Sequence, residues 1–373
     1  MRLRNCVWTA AVLLAISISH SDAQQAEESS VRFRQCRVDN LGDCLNGVAT
    51  GVSTPDSVRS LSNRTARTLR RETQEDTALA LHGGAVQSTV LAAGDGPGFT
   101  QLWSNYNHVD QRSDFVNARN ESLGFDSSLN SGIVGAHRLF AERWLLGAAI
   151  GYDDMSISTA FNGGKSNAEA IMVTPYIAWL VSDHISIDAS YGYTWLDYEQ
   201  HRIAPDNGSP IDSTFDGARW FLSANLAGAW QVNEWQLGAR IGYLYVRETH
   251  DAYVEQTRAG SPVSTRLWTV DQRRVTLSQI NFGADIARTF EKFEPFAYAV
   301  YRNDLSRSEG QDAGGLPEDL GAVRSADDDE FELGFGLRMR GESAWSSAVE
   351  FSRIFSRTDY ASWTAGATLR YDF

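Results

Sequence analysis

The chain has 373 residues, of which 42% are hydrophobic and 21% charged, too apolar and too regularly patterned for a disordered protein and long enough for a large core or a large barrel. Its formal net charge of −14 argues against a nucleic-acid binder, which needs a basic face. With 11 Trp, 13 Tyr, 17 Phe and 31 Gly against only 8 Pro, the composition fits many paired strands rather than Pro-rich linkers.

The first element is a secretory signal over residues 1–23. Arg2 and Arg4 form a positive start, Cys6 to Ile18 is a short, largely apolar run, and Ser21 and Ala23 supply small residues at a cleavage site. The run is too short to span a bilayer comfortably, and no lipid anchor is expected at Cys6. Residues 24–98 follow as a short, polar N-terminal segment with an Arg-rich patch at Arg64, Arg67, Arg70 and Arg71. Cys36 and Cys44 are an even pair in an exported chain, and their spacing predicts a small disulfide loop rather than a metal site. A modest helical period runs over 73–92, and the Gly-rich stretch from Gly94 to Gly98 ends it.

From residue 99 to 373 a period of two dominates, and the pattern predicts twelve strands near 99–110, 122–140, 144–161, 168–181, 185–202, 214–230, 235–252, 275–289, 293–304, 329–340, 345–357 and 361–373. Phe331, Leu333, Phe335, Leu337 and Met339 alternate with Glu330, Glu332, Gly334, Gly336, Arg338 and Arg340. The apolar faces begin or end in Trp, Tyr or Phe, as at Trp144, Tyr152, Trp195 and Trp235, which matches aromatic belts at two membrane–water interfaces. The opposite faces mix small residues with charges of both signs, which suits a narrow lumen. Backbone groups in hydrocarbon must all be paired, so such strands must close on themselves. Tight links such as 141–143 and 182–184 alternate with longer polar ones such as 203–213, 253–274 and 305–328. The expected fold is therefore all-β: a closed antiparallel transmembrane barrel with both barrel termini on the periplasmic side.

The chain ends in an amphipathic strand. Trp363, Ala365, Ala367, Leu369, Tyr371 and Phe373 alternate with Thr364, Gly366, Thr368, Arg370 and Asp372. This strand, the stretch from Gly147 to Tyr152, and the Gly-Tyr pairs at Gly192-Tyr193 and Gly242-Tyr243 make residues 99–373 resemble the autotransporter barrel domain of type V secretion. The resemblance implies a twelve-stranded barrel in the bacterial outer membrane with a preceding segment, here a short one with a linker helix, threaded through the lumen. It also implies that Leu369, Tyr371 and Phe373 are the signal read by the outer-membrane assembly machinery. Residues 24–98 are too short for the long repetitive passenger usual in the family, and no Asn-Asn pair marks a self-cleavage point.

The remaining charged and nucleophilic motifs have plainer readings. Lumenal Arg240, Arg338, Arg340 and Arg370 with Asp153, Asp188, Asp285 and Glu332 form a charge network that holds the linker or lines a pore. His184-Ile185-Ser186 has the spacing of an outer-membrane phospholipase dyad, but its place in a turn fits an ordinary His beside a lumenal Ser. His82-Gly83-Gly84 lacks the nucleophile elbow that an oxyanion-hole reading requires. The acidic run Asp327-Asp328-Asp329-Glu330 fits a solvated loop. No catalytic, cofactor or metal residues are expected. The expected partners are outer-membrane lipid, lipopolysaccharide and the assembly machinery, with a monomeric state. A passive channel built on the same barrel, and more remotely a lipase using Ser186, stay open as alternatives.

Overall fold

The computed structural model describes residues 100–114, 124–141, 143–159, 163–182, 184–203, 208–258, 267–290, 292–309, 327–340 and 344–372. The expected signal peptide, the Cys36–Cys44 pair, the helical stretch at 73–92 and Phe373 lie outside the described residues. Among the described residues there is no helix and there are fourteen strands. They are β1 (Thr100–Ser113), β2 (Phe125–Phe140), β3 (Trp144–Thr159), β4 (Gly164–Ser182), β5 (Ile185–Ile203), β6 (Pro210–Val232) and β7 (Trp235–His250). There follow β8 (Tyr253–Thr257), β9 (Leu267–Val270), β10 (Arg273–Arg288), β11 (Phe293–Glu309), β12 (Asp329–Arg340), β13 (Trp345–Phe355) and β14 (Tyr360–Asp372).

All strands but β8 and β9 form one closed antiparallel ring of twelve. β7 pairs directly with β10, from Trp235 opposite Arg288 to His250 opposite Arg273. The ring closes where β1 meets β14, from Gln101 opposite Asp372 to Ser113 opposite Tyr360. β8 and β9 form a side hairpin against the start of β6, with Ile211 opposite Thr257. The twelve expected strands are all present, with ends displaced by a few residues. The extra hairpin falls inside the stretch expected to be a long loop. Its buried face carries Glu255 beside Tyr253 and Thr257, so no apolar alternation announces it.

The tight links between β2 and β3, β4 and β5, and β6 and β7 sit at one end of the barrel. Asn233 adopts a left-handed φ of 56° between β6 and β7, and Ala141 one of 49° between β2 and β3. Such values let the chain reverse without splaying the strands. β4 and β5 have 19 residues each and β6 has 23, well beyond the roughly 9–11 that cross a bilayer. The surplus lies at the opposite, loop-bearing end.

The two faces have opposite character. Large apolar side chains point outward and are accessible: Ile150 is 63% exposed, Phe335 62% and Val134 61%. The inward face buries Glu248, Glu255, Arg202, Asp188 and Gln279. A water-soluble sandwich distributes its residues the other way. Aromatic pairs mark both edges of the outward apolar band. At the tight-turn end, Trp144 stacks on Trp179 at 5.3 Å and Trp345 lies 4.7 Å from Tyr371. Towards the loops, Trp220 lies 5.1 Å from Tyr245 and Tyr193 lies 5.0 Å from Trp195. This is the layout of a bilayer-spanning barrel.

The lumen as candidate functional site

Each inward strand face delivers polar or charged groups to the lumen, and cross-strand register decides which of them meet. Glu248 on β7 stands opposite Arg219 on β6, whose Nε donates to Oε2 at 2.8 Å. Its other oxygen, Oε1, meets His250 Nε2 at 2.6 Å and accepts the Tyr198 hydroxyl. Arg219 also approaches Asp153 on β3 at 3.8 Å. A second cluster joins β11, β12 and the link between β13 and β14. Arg302 donates to Glu330 at 2.9 Å and pairs with Glu332, which also accepts the Tyr298 hydroxyl at 3.1 Å. Arg357 bridges Asp304 and Glu330 at 3.0 Å each. A third sits at the tight-turn end: Glu294 pairs with Arg338, whose guanidinium lies 4.3 Å from the centre of the Phe296 ring. Finally, Arg202 on β5 pairs with Glu255 and fixes the β8–β9 hairpin.

These pairs are almost completely buried. Such pairs add little net stability, because desolvation offsets the attraction, but leaving one member alone costs about 3–5 kcal/mol. They therefore fix which strands lie side by side. Space for bulky inward rings comes from glycine: Gly135 faces Trp103, Gly147 faces Tyr176, Gly192 faces Phe221 and Gly334 faces Tyr298 directly across the ladders. A side chain at any of these glycines would overlap the ring opposite it. Trp103 Nε1 donates to the Tyr176 hydroxyl at 2.9 Å, which also meets His137 Nδ1 at 3.0 Å. Nearer the loops the lumen wall becomes apolar. Tyr253 stacks on Phe215 at 4.3 Å and Phe215 on Tyr198 at 4.7 Å, beside Met155, Leu196 and Val270.

The protein is thus a closed barrel with a greasy exterior and an ion-paired lumen. A family model described as "Autotransporter beta-domain" matches residues 102–352. The chain belongs to the autotransporter β-domain family. Among solved structures, it is similar to the translocator domain of the autotransporter NalP from Neisseria meningitidis, at 12% identity and a TM-score of 0.61, covering 86% of this chain and 98% of that one. It is likewise similar to the β domain of the Bordetella autotransporter BrkA, at 15% identity and a TM-score of 0.57, covering 74% of this chain and 100% of that one. At these identities the likeness shows the fold. Among curated protein sequences, none matches this chain.

In this autotransporter barrel, charged residues expected in the lumen take part in several of these contacts. Glu332 joins the Arg302 cluster, Arg338 pairs with Glu294, and Asp153 belongs to the Glu248 cluster. Asp188 accepts from Asn225 Nδ2 at 2.7 Å. Arg240 is buried on the lumen face, with its guanidinium arm alongside Gly283. Asp285 is half-buried on the lumen-facing row of β10, and Arg370 follows the inward alternation of β14 together with Thr368. The side chain of Arg340 lies outside the described residues. Arg202, Arg219, Glu248, Glu294, Arg302, Asp304 and Arg357, the partners that hold these clusters together, escaped the sequence reading. A signal for them was available: Arg219 and Glu248, and Arg302 and Glu330, each stand opposite one another once adjacent strands are put in register.

His184 is exposed in its tight turn while Ser186 is buried on the lumen face, so the two do not form a nucleophile–base pair. In the terminal strand, Leu369 is exposed on the outward face and Tyr371 packs on Trp345.

Proposed function

We propose that this outer-membrane autotransporter barrel anchors and threads its own residues 24–98 through the lumen. The observation that carries the proposal is the direction of β1. It runs from the tight-turn end towards the loops, so the chain before Thr100 arrives at the tight-turn end, where the chain end on β14 also lies. From there the route to the loop side leads through a lumen lined by Arg and carboxylate pairs, with the Phe215 and Tyr253 rings on its upper wall, a largely polar conduit for a polar segment. Residues 1–23 serve as a cleaved export signal, Cys36 and Cys44 form a loop small enough to thread, and the barrel works without catalytic groups of its own. Leu369, Tyr371 and Phe373 engage the assembly machinery, and the barrel acts as a monomer.

The test combines surface labelling with conductance. A cysteine replacing Ser261, in the link between β8 and β9, should react with an impermeant maleimide on intact cells. In planar bilayers the full chain should be nearly silent, and deletion of residues 24–98 should open it. Equal conductance of both forms would refute threading in favour of an open channel, the reading that the mixed-charge lumen also favours.

A further inference from the structure

The outer wall above the loop-side aromatic belt is not uniformly charged. On β3 to β6, Asp154, Glu169, Asp197 and Asp216 all face outward and stand directly opposite one another across three successive ladders. A row of like charges at that spacing repels an anionic group. One ladder further round, the sign reverses. Arg247 on β7 and Arg274 on β10 face outward, Arg247 opposite Thr276 and Arg274 opposite Thr249. That register makes the two arginines diagonal neighbours, about 7 Å apart at their β-carbons.

Neither arginine makes an ion pair or a side-chain hydrogen bond among the described residues. Other loop-side arginines differ: Arg112 is held by Asp114 at 2.9 Å, Arg258 by Asp212 at 2.7 Å, and Arg353 lies over the Phe355 ring at 5.5 Å. Immediately on the membrane side, Trp220 is the cross-strand partner of Arg247 and lies against Tyr245. From the bilayer outward the wall therefore presents two aromatic rings, two uncommitted guanidinium groups, and the hydroxyls of Thr249 and Thr276.

We propose that Arg247 and Arg274 bind a phosphate of a phosphorylated glycolipid in the outer leaflet, with Trp220 and Tyr245 packing beneath its sugar–acyl junction. The inference rests on the outer-membrane placement of the barrel. Planar guanidinium forks suit phosphate oxygens, and an arginine at the aromatic belt works in a partly dehydrated interface where a charged hydrogen bond is stronger. The acidic row on β3 to β6 turns the same lipid away, which confines it to one sector of the wall. Arginine rather than lysine at both positions favours two-pronged contacts over a diffuse counter-charge.

The test uses the full chain, extracted from outer membranes in mild detergent and mixed with bisphosphorylated or fully dephosphorylated lipid A, with bound lipid counted by native mass spectrometry. The double variant R247Q/R274Q should retain the phosphorylated lipid about tenfold less than the unaltered protein, a loss of one decade in affinity. Dephosphorylated lipid should bind both proteins alike. The control R112Q/R258Q removes two charges from already paired arginines and should bind as the unaltered protein does. Equal retention by R247Q/R274Q overturns the site, as does an equal loss in the control or an equal loss of dephosphorylated lipid. Should the double variant fail to fold, as judged by heat-modifiable gel migration, R274Q alone at its exposed position carries the same expectations. Labelling of the Ser261→Cys protein on intact cells reports separately on membrane placement. Labelled cells with unchanged lipid retention remove the lipid site alone; unlabelled cells remove the placement itself.

Discussion

A single methyl group at Gly192 tests how the lumen is packed. Gly192 on β5 stands opposite Phe221 on β6. A β-carbon there would lie 1.9 Å from Phe221 Cε1, 2.4 Å from Cζ and 2.7 Å from Cδ1. All three atoms belong to a rigid ring that is 0% exposed, so no flexible chain end can swing away. Forcing such a ring aside costs about 1–3 kcal/mol. Alanine recovers roughly 0.5–1 kcal/mol of the backbone entropy that glycine loses in a strand. The net expectation for Gly192→Ala is a destabilisation of about 1–2 kcal/mol. Gly132 is the control, since a β-carbon there meets nothing within 4 Å, and Gly132→Ala should be neutral or slightly stabilising. The assay is urea unfolding in phospholipid vesicles, followed by tryptophan fluorescence. In a Phe221→Leu background the penalty should vanish, giving a coupling of about 1 kcal/mol or more. If Gly192→Ala and Gly132→Ala behave alike, or the penalty survives without the ring, the packing argument is wrong.

Glu248→Gln removes the carboxylate that serves Arg219, His250 and Tyr198 and should cost about 3 kcal/mol, measured by the urea midpoint, because the buried Arg219 guanidinium loses its closest counter-charge. Arg302→Met removes the guanidinium that pairs with both Glu330 and Glu332; a loss of at least about 3 kcal/mol is expected, and a neutral result would mean that the β11–β12 cluster is dispensable. Phe335→Arg places a charge on the lipid-facing wall and should cost about 2–4 kcal/mol in vesicles, whereas on a wet exterior it would be harmless. Asp212, outside the membrane at the loop end, has its carboxyl held below the usual range mainly by hydrogen bonds from Arg258, with His201 adding to the effect. A depressed native value means that the contact stabilises the folded form above the unfolded pKa and is lost as pH falls through the native one. Protease cleavage in 251–258 should therefore rise below about pH 4, and Asp212→Asn should abolish that dependence.

How far the sequence carried the fold depends on the strand. β3, β12 and β14 alternate cleanly because one face meets lipid and the other meets small or charged groups, so their edges and orientation were legible. β11 was harder. Its outward face carries Pro295, Ala297, Ala299 and Tyr301, and its inward face Phe296, Tyr298 and Val300 before Arg302, so both faces read as apolar. The same ambiguity hid the apolar upper lumen around Phe215 and Met155. The charge clusters were only half legible. A lone Glu332 or Asp153 identifies a lumen-facing position, but its partner is set by register between strands, which period-two counting within one strand does not supply. The β8–β9 hairpin escaped for a related reason, since its buried face is held by the Arg202–Glu255 pair rather than by apolar residues.

The pairing of β1 with β14 has a kinetic consequence. Gln101 Nε2 donates to an oxygen of Asp372, a partner 271 positions later in the chain. Until those last residues arrive, β1 offers an unsatisfied edge, ready to zip onto whatever extended strand is nearest, another copy included. Closure waits on the most distant contact in the ring, and so high a separation makes spontaneous folding slow. A ring closed this way forms cleanly only where β1 is kept from other strand edges until β14 is available to it.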